Sequence, residues 1–256
     1  MSVRPKKHLG QHFLTDLNIA RKIVSLADHD TYHDILEVGP GMGVLTQYLL
    51  DERMSNLSVA EIDAESVEYL RARFEKLDGK IFEQDFLRMD LTTIFPDQVA
   101  IIGNFPYNIS SQIFFKILEC RNVVPQVVGM VQKEVGQRIC EKEGSKTYGI
   151  LSVLLQAFYD VSYEFTVNEN VFNPPPKVKS AVIKLTRKHN LTLECNEKLF
   201  FSVVKQAFNQ RRKTLRNSLK SITPEEVREM DIFGKRPEQL SVDAFVNLTN
   251  LISKGG

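Results

Sequence analysis

The first two-thirds of the chain alternate short apolar runs with longer segments whose apolar positions recur at helical spacing. Asp34–Val38 reads as a buried strand ending in a glycine turn, and Val44–Glu52 as the helix after it. Leu57–Glu61, Lys80–Gln84, Val99–Gly103 and Val123–Val131 read as further strands. Helices are predicted at Ala64–Leu77, Ser110–Leu118, Lys133–Glu141 and Gly149–Tyr159, and two last strands at Val161–Thr166 and Val178–Thr186. Repeated β-α units with short connections predict an α/β fold, a mostly parallel seven-stranded sheet covered by helices on both faces.

Around Arg187–Asn196 the pattern changes. The segments after it are helical and more polar, at Glu197–Asn209, Thr214–Leu219, Pro224–Met230 and Val242–Ser253. Thr223-Pro224-Glu225-Glu226 carries an N-cap residue, a proline for the first turn and acids behind it. These changes predict two domains, residues 1–187 and a small helical domain over residues 188–256.

Composition adds limits. The 256 residues are 43% hydrophobic and 25% charged, ordinary for a globular protein that buries its own core. Cys120, Cys140 and Cys195 have no metal or redox spacing, so we expect small buried hydrophobes in a reducing compartment and no metal site. The basic start of the chain lacks the apolar core of a signal peptide, and no run is long enough to span a bilayer. The expectation is a cytoplasmic protein, and no sustained heptad argues against a monomer.

The net charge is +1, but the charges are unevenly placed. Lys205, Arg211, Arg212, Lys213, Arg216 and Lys220 share the stretch 205–220 with no acid. Arg4, Lys6 and Lys7 do the same near the start. A near-neutral chain with two such patches can bind a polyanion locally.

The strand predicted at 34–38 runs into Gly39-Pro40-Gly41-Met42-Gly43. Glycines there allow a tight turn and close approach of backbone to a ligand, at the sheet position where nucleotide-like ligands bind. The spacing is G-x-G-x-G, not the dinucleotide G-x-G-x-x-G. Glu61 ends the second strand and can accept from ribose hydroxyls, and Asp85 ends the third and can accept from an adenine amine. Together they can read an adenosine. Asp63 is expected to cap the next helix.

After the fourth strand comes Asn104-Phe105-Pro106-Tyr107. An exocyclic aryl amine is a poor nucleophile because its lone pair is delocalised into the ring. Two acceptors aimed at its hydrogens favour the pyramidal, reactive form. The Asn104 side-chain oxygen and the Pro106 carbonyl suit that task, and Tyr107 offers a ring for a base to stack on.

These motifs resemble those of class I methyltransferases that act on adenine. Further segments narrow the resemblance to the rRNA adenine dimethyltransferase family: His8-Leu9-Gly10-Gln11-His12-Phe13-Leu14, Phe172-Asn173-Pro174-Pro175-Pro176-Lys177-Val178, and Lys205 to Asn217. The resemblance runs from about Lys6 to Leu251. It implies a Rossmann-like fold, S-adenosylmethionine as cofactor, and dimethylation of N6 on two adjacent adenines in the 3′-terminal hairpin of 16S rRNA. The implied partner is the small (30S) ribosomal subunit or its late assembly precursor. It implies cofactor contacts at His12, Leu14, Gly39, Gly41, Glu61, Asp85 and Asn104. It also implies an amine-holding loop of Asn104, Pro106 and Tyr107, with Phe172 as the second aromatic around the flipped adenine. His12 stands where many relatives have asparagine, which leaves open whether its side chain or its backbone makes the contact. Phe105 stands where many have leucine, and is expected to form an apolar wall.

The target base must leave its stack, and phosphate contacts from Lys205, Arg211, Arg212, Lys213 and Arg216 would offset the cost. Competing readings are a binding module that keeps the fold as an assembly factor, a methyltransferase acting on a 23S rRNA or DNA adenine, and a dehydrogenase. The proline-rich segment and the basic run favour the 16S enzyme, and the glycine spacing disfavours the dehydrogenase.

Overall fold

The computed structural model describes residues 3–28, 32, 34–51 and 56–253. In chain order the elements are β1 (Phe13–Leu14), α1 (Leu17–Val24), β2 (Asp34–Val38), α2 (Thr46–Leu49), β3 (Asn56–Ala60), α3 (Ala64–Arg73), β4 (Ile81–Phe82), α4 (Leu91–Ile94), β5 (Val99–Asn104) and α5 (Ser110–Glu119). There follow β6 (Gln126–Gln132), α6 (Lys133–Cys140), α7 (Ile150–Phe158), β7 (Tyr159–Val167), β8 (Phe172–Asn173), β9 (Ser180–Arg187), α8 (Glu197–Asn209), α9 (Leu215–Ser218) and α10 (Val242–Ser253).

The main sheet has seven strands in the order β4-β3-β2-β5-β6-β9-β7. Strands β4 through β6 pair in parallel, while β9 runs antiparallel to β6. The central strands β5 and β6 are buried almost throughout, so their sequences V-A-I-I-G and Q-V-V-G-M-V show no polar alternation. The order changes direction at β2, where neighbours diverge to β3 and β5 and a crevice opens beyond the strand ends.

Several boundaries differ from the predicted ones for local reasons. The helix expected at Val44–Glu52 is only α2, because positive φ at Gly39, Gly41 and Gly43 holds the chain in turns before it, and Glu52 lies outside the described residues. Strand β6 begins at Gln126 rather than Val123, since Pro125 has no N–H to give a ladder. The helix expected at Pro224–Met230 is a single 3-10 turn over Glu225–Val227. Helix α1 is absent from the predicted elements, although Asp16 caps it by accepting from Asn18 and Ile19 N–H at 2.9 and 3.0 Å.

The chain packs as two compact units. The first comprises residues 1–136 and 161–187, the second residues 137–160 and 188–256. The chain therefore crosses between them three times, rather than once near residue 188. The second unit takes in α7 because that helix, with Leu151, Val153, Leu154, Leu155 and Phe158 buried, packs on α8 and α10. Phe158 and Phe201 stack at 6.0 Å, and Phe208 meets Tyr148 and Phe245 at 6.3 and 5.9 Å. Of the three cysteines, Cys120 is buried while Cys140 and Cys195 are half-buried. Among the described residues no helix is long and apolar enough to cross a membrane.

Candidate active site

A cleft of about 310 Å3 opens in the first unit beyond the ends of β2, β3 and β5. Its size suits a small-molecule ligand. The glycine loop forms its floor. Gly39 donates to the Ala60 carbonyl at 3.0 Å with φ +68°, and a Cβ at Gly41 would lie 2.7 Å from the Phe13 ring. Gly41 thus lets Phe13 close over the loop.

Glu61 is buried at the end of β3, yet it lines the cleft. Its Oε1 accepts from the N–H groups of Ile62 and Asp63, each at 2.9 Å, and its Oε2 from Gly41 N–H at 3.1 Å. Burial raises its pKa above the ordinary carboxylate range, and the three N–H bonds work against that rise. Oε2, with one bond, keeps an acceptor position for a ligand hydroxyl. Asp85 caps a 3-10 turn through Leu87 N–H at 2.9 Å and also lines the cleft. Ile62 is 55% exposed on the same wall and offers apolar surface for a ring.

The charge of the lining is specific. The cleft holds Glu61 and Asp85 and, among the described residues, no lysine or arginine. Such a lining rejects a polyphosphate and suits a nucleoside that carries positive charge. S-Adenosylmethionine, an adenosine bearing a sulfonium, fits these groups.

The Asn104-Phe105-Pro106-Tyr107 loop faces the glycine loop. Asn104 donates through Nδ2 to the His12 carbonyl at 2.8 Å, which orients the amide and leaves Oδ1 as its acceptor end. The Pro106 carbonyl accepts from Ile109 N–H at 3.2 Å and retains a second lone pair. The Tyr107 hydroxyl bonds Ser180, and its ring stacks on His12 with centroids 5.4 Å apart. Burial raises the Tyr107 pKa, with the Ser180 bond opposing, so the phenol is neutral at physiological pH. His12 donates through Nδ1 to the Pro174 carbonyl at 2.7 Å, because a carbonyl can only accept. His12 therefore serves the site with both its backbone and its ring.

Two sequence expectations need correction, those for Phe172 and Asp63. Leu14 and Phe172 are partners across the β1–β8 ladder and turn their side chains together into the core, 3% and 4% exposed, so Phe172 offers no ring to the cleft and a Leu14 contact falls to its backbone. Successive strand residues alternate faces, which leaves Phe13 as the aromatic on the cleft side. Phe105 lines the cleft, as expected of an apolar wall. Its ring is fully buried against Gly103 and Gly129 and meets Phe114 edge-on at 5.9 Å, so it anchors the loop from below. Asp63 makes no capping bond, because its buried carboxylate is taken by Lys6, by Ser66 at 2.9 Å and by Gln11. Burial alone would raise the Asp63 pKa, but these bonds outweigh it and hold the group ionised.

In the second unit the basic run divides. Arg211 donates to the Lys146 and Tyr148 carbonyls and braces the loop before α7. Arg216 donates to the Arg228 carbonyl at 3.1 Å and pairs with Glu229 at 3.3 Å. Both arginines thus brace their own unit while remaining half-exposed. Lys205, Arg212 and Lys213 are exposed.

Sequence reasoning also passed over Glu37, at the end of β2. It is 1% exposed and accepts from the Thr46 hydroxyl at 2.6 Å. Burial pushes its carboxyl up to about 8, with the Thr46 bond opposing and the charge of Glu61 adding to the rise. Folding at neutral pH therefore takes up a proton at Glu37. The associated stability is present in full below the ordinary carboxylate range and is lost as pH rises toward about 8. The melting temperature of the wild type should fall, relative to Glu37→Gln, between pH 5 and 8. Parallel melting curves over that range would contradict this account of Glu37.

Residues 3–254 match the family model described as ribosomal RNA adenine dimethylase. A Flavobacterium johnsoniae protein described as ribosomal RNA small subunit methyltransferase A is 60% identical, with 99% of this chain and 98% of that protein covered. A Cytophaga hutchinsonii protein of the same description is 57% identical, with 98% of each covered. Among solved structures, a dimethyladenosine transferase from Plasmodium falciparum superposes with a TM-score of 0.81 at 26% identity, covering 96% of this chain and 98% of that one. The 23S rRNA methyltransferase ErmE gives 0.66 at 25% identity, covering 93% and 99%.

Proposed function

The chain belongs to the ribosomal RNA adenine dimethylase family, and from that premise we propose its target: N6 of two adjacent adenines in the 3′-terminal hairpin of 16S rRNA. It is an S-adenosylmethionine-dependent enzyme that methylates rRNA adenines. The proposed setting is late assembly of the small ribosomal subunit in the cytoplasm, with the protein acting as a monomer.

The observation that carries the mechanism is the orientation of Asn104, whose Nδ2 is committed to the His12 carbonyl. Its Oδ1 and the Pro106 carbonyl are then the two acceptors for the hydrogens of the adenine amine. Drawing on those hydrogens localises the nitrogen lone pair and favours its attack. Tyr107 supplies the stacking plane, worth roughly 1–3 kcal/mol per base. Gly39, Gly41, Glu61, Asp85 and the His12 backbone hold the cofactor. When bound, the cofactor supplies an electrophilic methyl group on a positively charged sulfur. The residues around it add orientation and a water-poor surface rather than a strong base, and proximity accounts for much of the lowered barrier.

The target is tested by incubating the protein and labelled cofactor with immature small subunits and mapping the product by mass spectrometry. Two adjacent dimethyladenosines in the 3′-terminal hairpin are expected. Label in large-subunit RNA, or none, contradicts the proposal. For RNA held by the second unit, Arg212→Glu with Lys213→Glu should weaken binding and make its salt dependence shallower by about 1.8, for two duplex phosphate contacts. Unchanged affinity and salt slope would remove both residues from the RNA surface.

A further inference from the structure

The cleft adjoins a second groove of about 640 Å3, and the two divide their charges sharply. Gly10, Gln11, His12, Tyr107 and Asn108 border both. The cleft contributes two carboxylates. The groove contributes exposed Lys7 and Lys177 and, among its described lining residues, no Asp or Glu. A ligand in the groove is thus anionic where one in the cleft is cationic.

The walls say more about the occupant. One is the run Pro174–Pro176, held to the catalytic loop's neighbour by the His12 Nδ1 bond to the Pro174 carbonyl. The His12 ring, already stacked on Tyr107, presents a second flat surface. Gln132, the half-buried last residue of β6, brings an amide that can both donate and accept. Flat faces, an amide and cations at the rim are the means by which proteins hold single-stranded nucleotides.

We propose that this groove binds the nucleotide next to the target adenine, with its phosphate between Lys7 and Lys177 and its base against His12 and the proline wall. The proposal rests on reading the cleft as the site of rRNA adenine methylation. A base extruded into the cleft brings its neighbour to the shared border, and the groove lies on the other side of that border. Held so, the neighbour stands one step from the cleft when the first adenine leaves. Two adjacent adenines are thereby served without releasing the RNA.

The test uses the full-length protein and a hairpin RNA carrying two adjacent adenines. RNA affinity is measured by equilibrium binding at several salt concentrations, separately from methyl transfer. Lys7→Gln with Lys177→Gln should weaken RNA binding about tenfold or more and make its salt slope shallower by about 0.7, for the one single-strand phosphate the two lysines share. Cofactor affinity should be unchanged. An abasic site beside the target adenine should weaken wild-type binding several-fold, and should weaken Gln132→Ala by less. Unchanged RNA affinity and salt slope in the lysine variant would overturn the proposal. So would an equal abasic penalty in both proteins. Lost binding to intact subunits with normal binding to the hairpin would also overturn it, assigning the groove to a ribosomal protein. If the wild type transfers no methyl group while the lysine variant still loses RNA affinity, the groove stands and the reading of the cleft fails.

Discussion

Replacing Asn104 with alanine should slow methyl transfer by at least about a hundredfold, as loss of a preorganised hydrogen-bonding group does elsewhere, and leave cofactor affinity within a few-fold. The side chain has two tasks. Nδ2 holds the N-terminal segment through the His12 carbonyl at 2.8 Å, and Oδ1 is left to accept from the adenine amine. Alanine removes both. The carboxylate of Asn104→Asp keeps an acceptor but sets a second oxygen against the His12 carbonyl, so it should also be slow. Single-turnover transfer of a labelled methyl group, with cofactor binding by calorimetry, separates the steps. Near-normal turnover in Asn104→Ala would show that the amine is activated by other groups.

Glu61→Gln should produce the complementary defect, weakening the cofactor by about ten- to a hundredfold. The residues are close in shape, but the bonding of Glu61 is not that of an amide. Both carboxylate oxygens are occupied by backbone donors, Oε1 by Ile62 and Asp63 and Oε2 by Gly41. An NH2 group at either end faces an N–H and leaves a buried donor unpaired, which costs roughly 1–3 kcal/mol. If the amide faces Gly41, the glycine loop loses its tie to β3. If it turns, the start of α3 loses two bonds. The amide turned to Gly41 also takes the acceptor from the ribose hydroxyl, and at about 1.4 kcal/mol per tenfold the loss of that ligand bond gives the stated weakening. Unaltered cofactor affinity in a correctly folded Glu61→Gln would remove this residue from the binding site.

The parts of the site legible in the sequence are those whose chemistry admits few residue types. The cleft brings together the glycines at 39 and 41 and the acids Glu61 and Asp85, which follow β3 and β4. Asn104, the acceptor expected for an aryl amine, ends β5 in the same cleft. Geometry set by distant chain was not legible. Leu14 and Phe172 lie in matching motifs, but their pairing across β1 and β8 aims both inward and hands the cleft face to Phe13. Arg211 belongs by composition to a basic run, yet its partners are carbonyls more than sixty residues earlier. Phe105 became an anchor because Gly103 and Gly129, on neighbouring strands, leave room for its ring. The place of residues 137–160 in the second unit follows from the largely apolar α7, whose periodicity gave no sign of which unit would cover it.

A structure with bound methyl donor tests the central claim most directly. We expect the ribose hydroxyls at Glu61 Oε2, the adenine amine near Asp85, and the donor methyl beside Asn104 with its Nδ2 still on the His12 carbonyl. A donor held outside the space between Gly39 and Asn104, or an Asn104 turned away from it, would contradict the mechanism.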